Sequence, residues 1–188
     1  MSTLTTTDRQ QLTGDYTIDP VHSRVGFSAR HAMVTKVRGS FNEFEGALHL
    51  DAEDPSRSSG RVVIQAASID TRNADRDAHL RGNDFLALDE YPEIRFESTA
   101  VEAAGDDRFR VTGNLTIKDV TRPVTVDFEY TGTAVDPFDN HRVGLEGTAV
   151  INRKDWGVNF NAVLETGGLL VSDKVTLEFE ISAIKNRD

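Results

Sequence analysis

The apolar residues of this chain recur at every second position over most of its length. In "RFRVTGNLTIKD", Phe109, Val111, Gly113, Leu115 and Ile117 share one face, and Arg110, Thr112, Asn114, Thr116 and Lys118 share the other. "PVTVDFEYTGTAV" sets Val124, Val126, Phe128 and Tyr130 against Thr125, Asp127, Glu129 and Thr131. "RVVIQAAS", "IRFESTAV", "RVGLEGTAVINR" and the closing "KVTLEFEISAIK" repeat the pattern. Period two belongs to strands, and one dry face opposite one wet face marks antiparallel sheet. Upstream, "DYTID", "RVGFSARH" and "VRGSFNEFEGALHLD" add strands. A slip of parity between Phe41 and Phe44 predicts a bulge or sharp bend. The count is eight or nine strands, joined mainly by hairpin-like turns such as "AAGDD" and "DPFDN". One stretch departs from the pattern: Ala74 to Arg81 reads as a short helix, with Asn73 as its cap and Gly82 closing it.

So many strands need somewhere to put a dry face. A closed barrel does this with one sheet and removes the sticky edges; a two-sheet sandwich is the alternative. The faces read as inward mix large side chains with Ala66, Ser68, Ser98, Ala100, Gly113, Gly132, Ala134, Gly147, Ala149 and Ala183. In a sandwich these would serve close packing. In an eight-stranded barrel they would leave room for one ligand. Either way the chain reads as a single all-β domain over 13–188, after a polar, Thr- and Gln-rich tail at 1–12 with nothing to bury.

A net charge of -10 argues against a nucleic-acid partner, whose phosphates are gripped by clustered Lys and Arg, and more weakly against an anionic membrane surface. The absence of cysteine excludes disulfides, thiolate nucleophiles and cysteine-bound metal. No run approaches the ~18 apolar residues of a membrane span, so no stable membrane insertion is expected. The polar start "MSTLTTTDRQQLTG" lacks the form of a secretory signal, which predicts a cytoplasmic protein.

Candidates for chemistry are few. Glycine-flanked serine elbows, phosphate loops and dinucleotide motifs are absent, and "ETGGLL" with Gly167 and Gly168 reads as a loop. His22, His31 and His79 lack metal-ligand spacing, and no metal site is expected. His49 and His141 fall among polar neighbours. "DRDAHLRGNDF" is the sharpest candidate, because Asp75 and His79 lie four apart and would share one helical face as an acid/base pair. The competing reading makes this helix a stopper at a barrel end. Leu80 and Phe85 would face in, and the charges would pair with Arg72, Arg76 and Arg81. Such surface pairs are worth only ~0–1 kcal/mol each. With no nucleophile or metal partner at hand, the stopper is preferred and no catalytic residue is assigned. "INRKDWGVNF" places Trp156 and Phe160 just after a strand that ends near Arg153, suited either to plugging a core or to gripping the neck of a ligand.

Four segments together resemble the YceI-like family of polyisoprenoid-binding, lipocalin-like proteins: "YTIDPVHSRVGFSARHAMVTKVRGSFNEFEGALHLD", "ASIDTRNADRDAHLRGNDFLALDEYPEIRFEST", "VTGNLTIKDVTRPVTVDFEYTG" and "INRKDWGV". They run in the family's order from Tyr16 to Gly157, and the last strand extends the cover to the C-terminus. The resemblance implies an extended, eight-stranded antiparallel barrel around a deep apolar tunnel. Such a tunnel would hold an isoprenoid, a quinone, a polyprenyl diphosphate or a fatty-acid amide, often in a homodimer and without enzyme activity. Asp119 stands where the family usually has glycine, and the polar tail replaces the secretory signal of many members. Joined to the alternation, the expectation is a carrier or store of one long apolar lipid that needs no other cofactor. The alternatives are a lipid hydrolase or isomerase using Asp75 and His79, and a scavenger of lipophilic drugs under stress. The expected tunnel residues are Phe27, Phe41, Ile64, Phe85, Phe96, Leu115, Phe128, Leu145, Trp156, Phe160 and Phe179. His31, Arg72, His79 and Arg153 are the expected contacts of a polar head.

Overall fold

The computed structural model describes residues 10–165 and 168–187. Its strands are β1 (Gly14–Ile18), β2 (Arg24–His31), β3 (Thr35–Phe41), β4 (Phe44–Leu50), β5 (Ser59–Gln65), β6 (Ile69–Asp70), β7 (Glu93–Gly105), β8 (Arg108–Ile117), β9 (Val120–Val135), β10 (His141–Asn152) and β11 (Val171–Lys185), and the helix α1 (Ala74–Arg81) lies between β6 and β7. Every strand pairing is antiparallel. The order β1-β4-β5-β7-β8-β9-β10-β11 closes on itself through β1–β11, an eight-stranded ring, so the barrel prevails over the sandwich.

β2, β3 and β6 extend the wall beyond that ring. β11 pairs with β2 along Val171–Glu180 and with β1 along Ala183–Lys185, so β1 and β2 act as one strand bent at 19–23. β3 and β4 are likewise one strand bent at Asn42–Glu43, where the parity slips. β5 and β6 are joined by a 3-10 turn at Ala66–Ser68. β6 pairs with β3 through only two residues, Ile69 and Asp70, and the segment carrying α1 follows it at this end of the barrel.

The long strands explain the extended shape. β9 has 16 residues and β11 has 15, against a usual ~5–6. The core sits where the inner faces meet, around Tyr16, Ile18, Val126, Val143 and Ala183.

Two register shifts turn residues read as inward to the outside. β7 shifts between Ser98 and Ala100, so Val101 and Ala103 face in and Ala100 is exposed. The pairing of β10 with β9 skips Thr131, so Thr133 opposes the inward Val143, and Gly132 and Ala134 face outward. Alternation cannot show an inserted residue until pairing is known.

At the β8–β9 turn, Lys118 and Asp119 both carry positive φ, 53° and 62°, where glycine would be least strained. Of the expected tail, residues 1–9 lie outside the described residues. Residues 10–12 are helical, and the Leu12 carbonyl accepts a hydrogen bond from the Tyr16 hydroxyl at 2.8 Å. Gly167 also lies outside the described residues.

Candidate ligand-binding cavity

The barrel is hollow. A cavity of about 730 Å³ runs along its interior. Its wall contains Phe27, Phe41, Ile64, Phe85, Phe96, Leu115, Phe128, Leu145 and Phe179. Many of these side chains remain partly accessible although they point inward, Phe27, Phe96, Phe128, Leu145 and Phe179 among them. A packed core would have buried them. Phe109 and Tyr130 also line the wall; they share the inward phase of β8 and β9, so alternation could have found them. Leu12 lines it too, and a reading of residues 1–12 as a tail misses it.

Glycines shape the wall indirectly. A Cβ at Gly147 would lie 2.4 Å from the Phe128 ring, at Gly113 2.5 Å from the Phe96 ring, and at Gly39 2.4 Å from the Phe27 ring. Each glycine is therefore roofed by a phenyl group from the adjoining strand. None of the three borders the void, and neither do the buried Ala66, Ala149 and Ala183. Small residues let the rings lie against the wall rather than project from it.

The two ends differ. At the hairpin end the cavity is bounded by exposed Glu53, Ser59, Ala103, Gly105 and Asp106, and it meets solvent there. Tyr16, buried just inside, has its phenol pushed above the ordinary value by burial and then by Tyr130.

At the other end Leu80, Phe85 and Leu86 close the space, as the stopper reading expects. α1 is short and mostly polar, so hydrogen bonds hold it. The Asn73 side chain accepts from the Arg76 amide at 2.9 Å. The buried Asp77 accepts from the Thr71 amide at 2.9 Å and the Thr71 hydroxyl at 2.5 Å. Arg76 donates to Thr71, and Arg81 donates to the carbonyls of Ala67 and Ile69 at 3.0 and 3.1 Å. The arginines thus satisfy backbone and hydroxyl oxygens, not the ion pairs that the sequence suggested.

The acid/base pair is not assembled. His79 Nε2 lies 2.8 Å from the Asp84 carboxylate, not against Asp75, and both partners are exposed. The His79 ring meets Phe85 and Phe160 edge-on, with centroids 5.0 and 4.9 Å away. Phe160 therefore packs behind the stopper and does not border the cavity. Trp156 also lies outside the wall: it is buried, and its indole N–H donates to the Leu115 carbonyl at 2.9 Å.

Of the expected head-group contacts, His31, Arg72 and His79 are exposed and lie outside the cavity; only Arg153 borders it. Arg153 is buried. It donates to the carbonyls of Val158 at 2.7 Å and Ser172 at 2.9 Å, with a longer contact to Val171 at 3.4 Å. Burial pushes its guanidinium below the ordinary value, and the Asp173 carboxylate opposes that. Asp173 Oδ1 is 3.9 Å from Arg153 and 3.3 Å from Lys154, and among the described residues it accepts no hydrogen bond. Among the described residues, no group of three or more His, Cys, Asp or Glu could hold a metal ion, and no helix is long and apolar enough to cross a membrane.

The YceI-like domain model matches residues 16–183. A UPF0312 protein of Staphylococcus aureus strain N315 is 40% identical over 170 residues, covering 90% of this chain and 95% of the relative. The crystal structure of Burkholderia cenocepacia BcnA aligns with a TM-score of 0.78 at 25% identity, over 88% of this chain and 98% of that one. A polyisoprenoid binding domain from Saccharophagus degradans aligns with a TM-score of 0.67 over 91% of this chain and 98% of that one; at 14% identity it shares the fold.

Proposed function

This chain belongs to the YceI-like family, and on that premise we propose that its barrel binds one long apolar lipid of isoprenoid, quinone or fatty-amide type and carries or stores it. The observation that supports this most is the apolar cavity of about 730 Å³, which lies within the ~300–1,000 Å³ of small-molecule sites. Its length selects long ligands. A chain burying about 600 Å² of apolar surface gains ~15 kcal/mol, which reaches the upper end of the ~4–15 kcal/mol that association costs. A short chain does not. Of the head-group candidates, Arg153 alone stays in the proposal, as a donor to a carbonyl or phosphate oxygen at the closed end. Binding proceeds without chemistry, and the protein acts as a cytoplasmic homodimer. A scavenger of lipophilic drugs would use the same cavity.

Organic extraction of the purified protein followed by mass spectrometry tests the proposal. We expect one long-chain lipid per chain, or uptake of a polyprenol or quinone offered to the emptied protein. A protein that extracts clean and takes up neither, yet binds varied drugs, would establish the scavenger instead.

A further inference from the structure

The β2–β3 hairpin carries a charge unlike the rest of the molecule. From Pro20 to Asn42 the chain holds Arg24, Arg30, Lys36 and Arg38 and no acidic residue, in a protein of net charge -10. Arg24 pairs with Glu178 at 3.3 Å. Arg30, Lys36 and Arg38 are exposed, and among the described residues none of these three side chains has a hydrogen-bond or ion-pair partner. Arg30 and Lys36 stand directly opposite one another, an arrangement that a sheet disfavours. On the neighbouring β11, Glu178 is engaged by Arg24, and Asp173 lies against Lys154 and Arg153.

The tip of the hairpin is apolar and strained. The Val34 amide donates to the His31 carbonyl at 3.0 Å, and the two residues between, Ala32 and Met33, carry φ of 50° and 61°. Asn and Gly suit such positions far better than Met. Met33 and Val34 are 63% and 76% exposed. Exposed Val163 and Leu169 belong to the next loop, which the Ala32 amide joins through the Leu170 carbonyl at 2.8 Å. Guarding an open edge would explain Lys36 and Arg38, because among the described residues β3 has no outer neighbour beyond β6. It would explain neither Arg30, on the interior strand β2, nor an apolar tip.

We propose that this hairpin docks the protein on an anionic lipid membrane, with Met33 and Val34 entering the interface and Arg30, Lys36 and Arg38 meeting headgroup phosphates. Apolar insertion and unpaired cations are the two signals that reversible membrane binding combines. The opposite mouth of the barrel carries Asp51, Glu53, Asp106 and Asp107, and α1 carries the exposed Asp75, so the attraction belongs to the hairpin itself. Docking of this kind holds whichever lipid fills the barrel.

Flotation of the full chain with vesicles tests it. The protein should float with mixed phosphatidylglycerol and phosphatidylcholine vesicles, not with phosphatidylcholine alone, and should detach as salt shortens the Debye length below about 8 Å. Lys36→Gln with Arg38→Gln should weaken partitioning roughly 25-fold, at about fivefold per cation. Met33→Ser with Val34→Ser should weaken it about tenfold or more at unchanged charge. Unchanged melting and cavity uptake would show that both variants are folded. Independently, Met33→Trp should shift its emission to the blue only with the mixed vesicles. Wild type that stays with the unbound fraction, or variants that float as it does, would overturn the proposal. So would loss of a dimer in the Met33→Ser/Val34→Ser variant when wild type ignores vesicles, since the tip would then be a contact between copies.

Discussion

Gly147 and Gly113 look alike in the sequence, both small and both on an inward face, but their surroundings set different consequences for a side chain. The three atoms nearest a Cβ at Gly147 would all be ring atoms of Phe128, which borders the cavity and has space to swing into it. A Cβ at Gly113 would meet the Phe96 ring and also the Glu97 carbonyl oxygen at 2.6 Å, and backbone cannot step aside. Gly147→Ala should therefore cost less than about 1 kcal/mol while lowering affinity for a long-chain lipid, because the displaced ring occupies lumen. Gly113→Ala should cost the ~1–3 kcal/mol typical of overpacking. Thermal melts and lipid titrations of both variants would check this; equal destabilisation would refute it. The inward phase of these glycines was legible in the sequence. Their partners were not, because which ring roofs which glycine depends on register between strands.

At the scale of elements, α1 was readable to its ends, since Asn73 and Gly82 are local signals that the fold leaves in place. The tie at the β9–β10 turn was not readable, because Arg142 joins residues far apart in the chain. It lies 2.8 Å from Asp19 and 2.8 Å from Asp136. At Asp136, burial acts to raise the carboxyl, but hydrogen bonds from Asn140, Arg142 and the Phe138 amide outweigh it and hold the group well below the usual range. At Asp19, burial is likewise outweighed by Arg142, His22 and the Val21 amide. A carboxyl held below its unfolded value, near 3.9, contributes stability that is fully present above that pH and is lost as pH falls toward the lower folded value. Wild type should therefore lose melting temperature as pH falls from about 4 toward 2. Arg142→Gln should melt lower at neutral pH and show a shallower fall over that range, because its carboxyls titrate closer to their unfolded values. Parallel melting curves for the two proteins would contradict this.

For the whole molecule, alternation implied many strands with one dry face, and closure through β1–β11 decides how that face is enclosed. The head-group candidates show where sequence reading stops. Histidines and arginines were picked for their chemistry, but His31 ends β2 at the hairpin tip, Arg72 precedes α1 and His79 lies on it; all three are exposed outside the cavity, and of the four only Arg153 borders it. The central claim is that the space inside the barrel is there to be filled. Leu145 tests it, since it borders the cavity midway along β10 and remains partly accessible. The decisive measurement is the titration of a long-chain quinone into emptied wild type and Leu145→Trp, with melting of both ligand-free proteins. We predict that wild type binds one quinone per chain, and that Leu145→Trp melts at or above wild type and binds none, its indole having taken the space. A variant destabilised by the ~1–3 kcal/mol of an overfilled core, with quinone binding unchanged, would contradict the account.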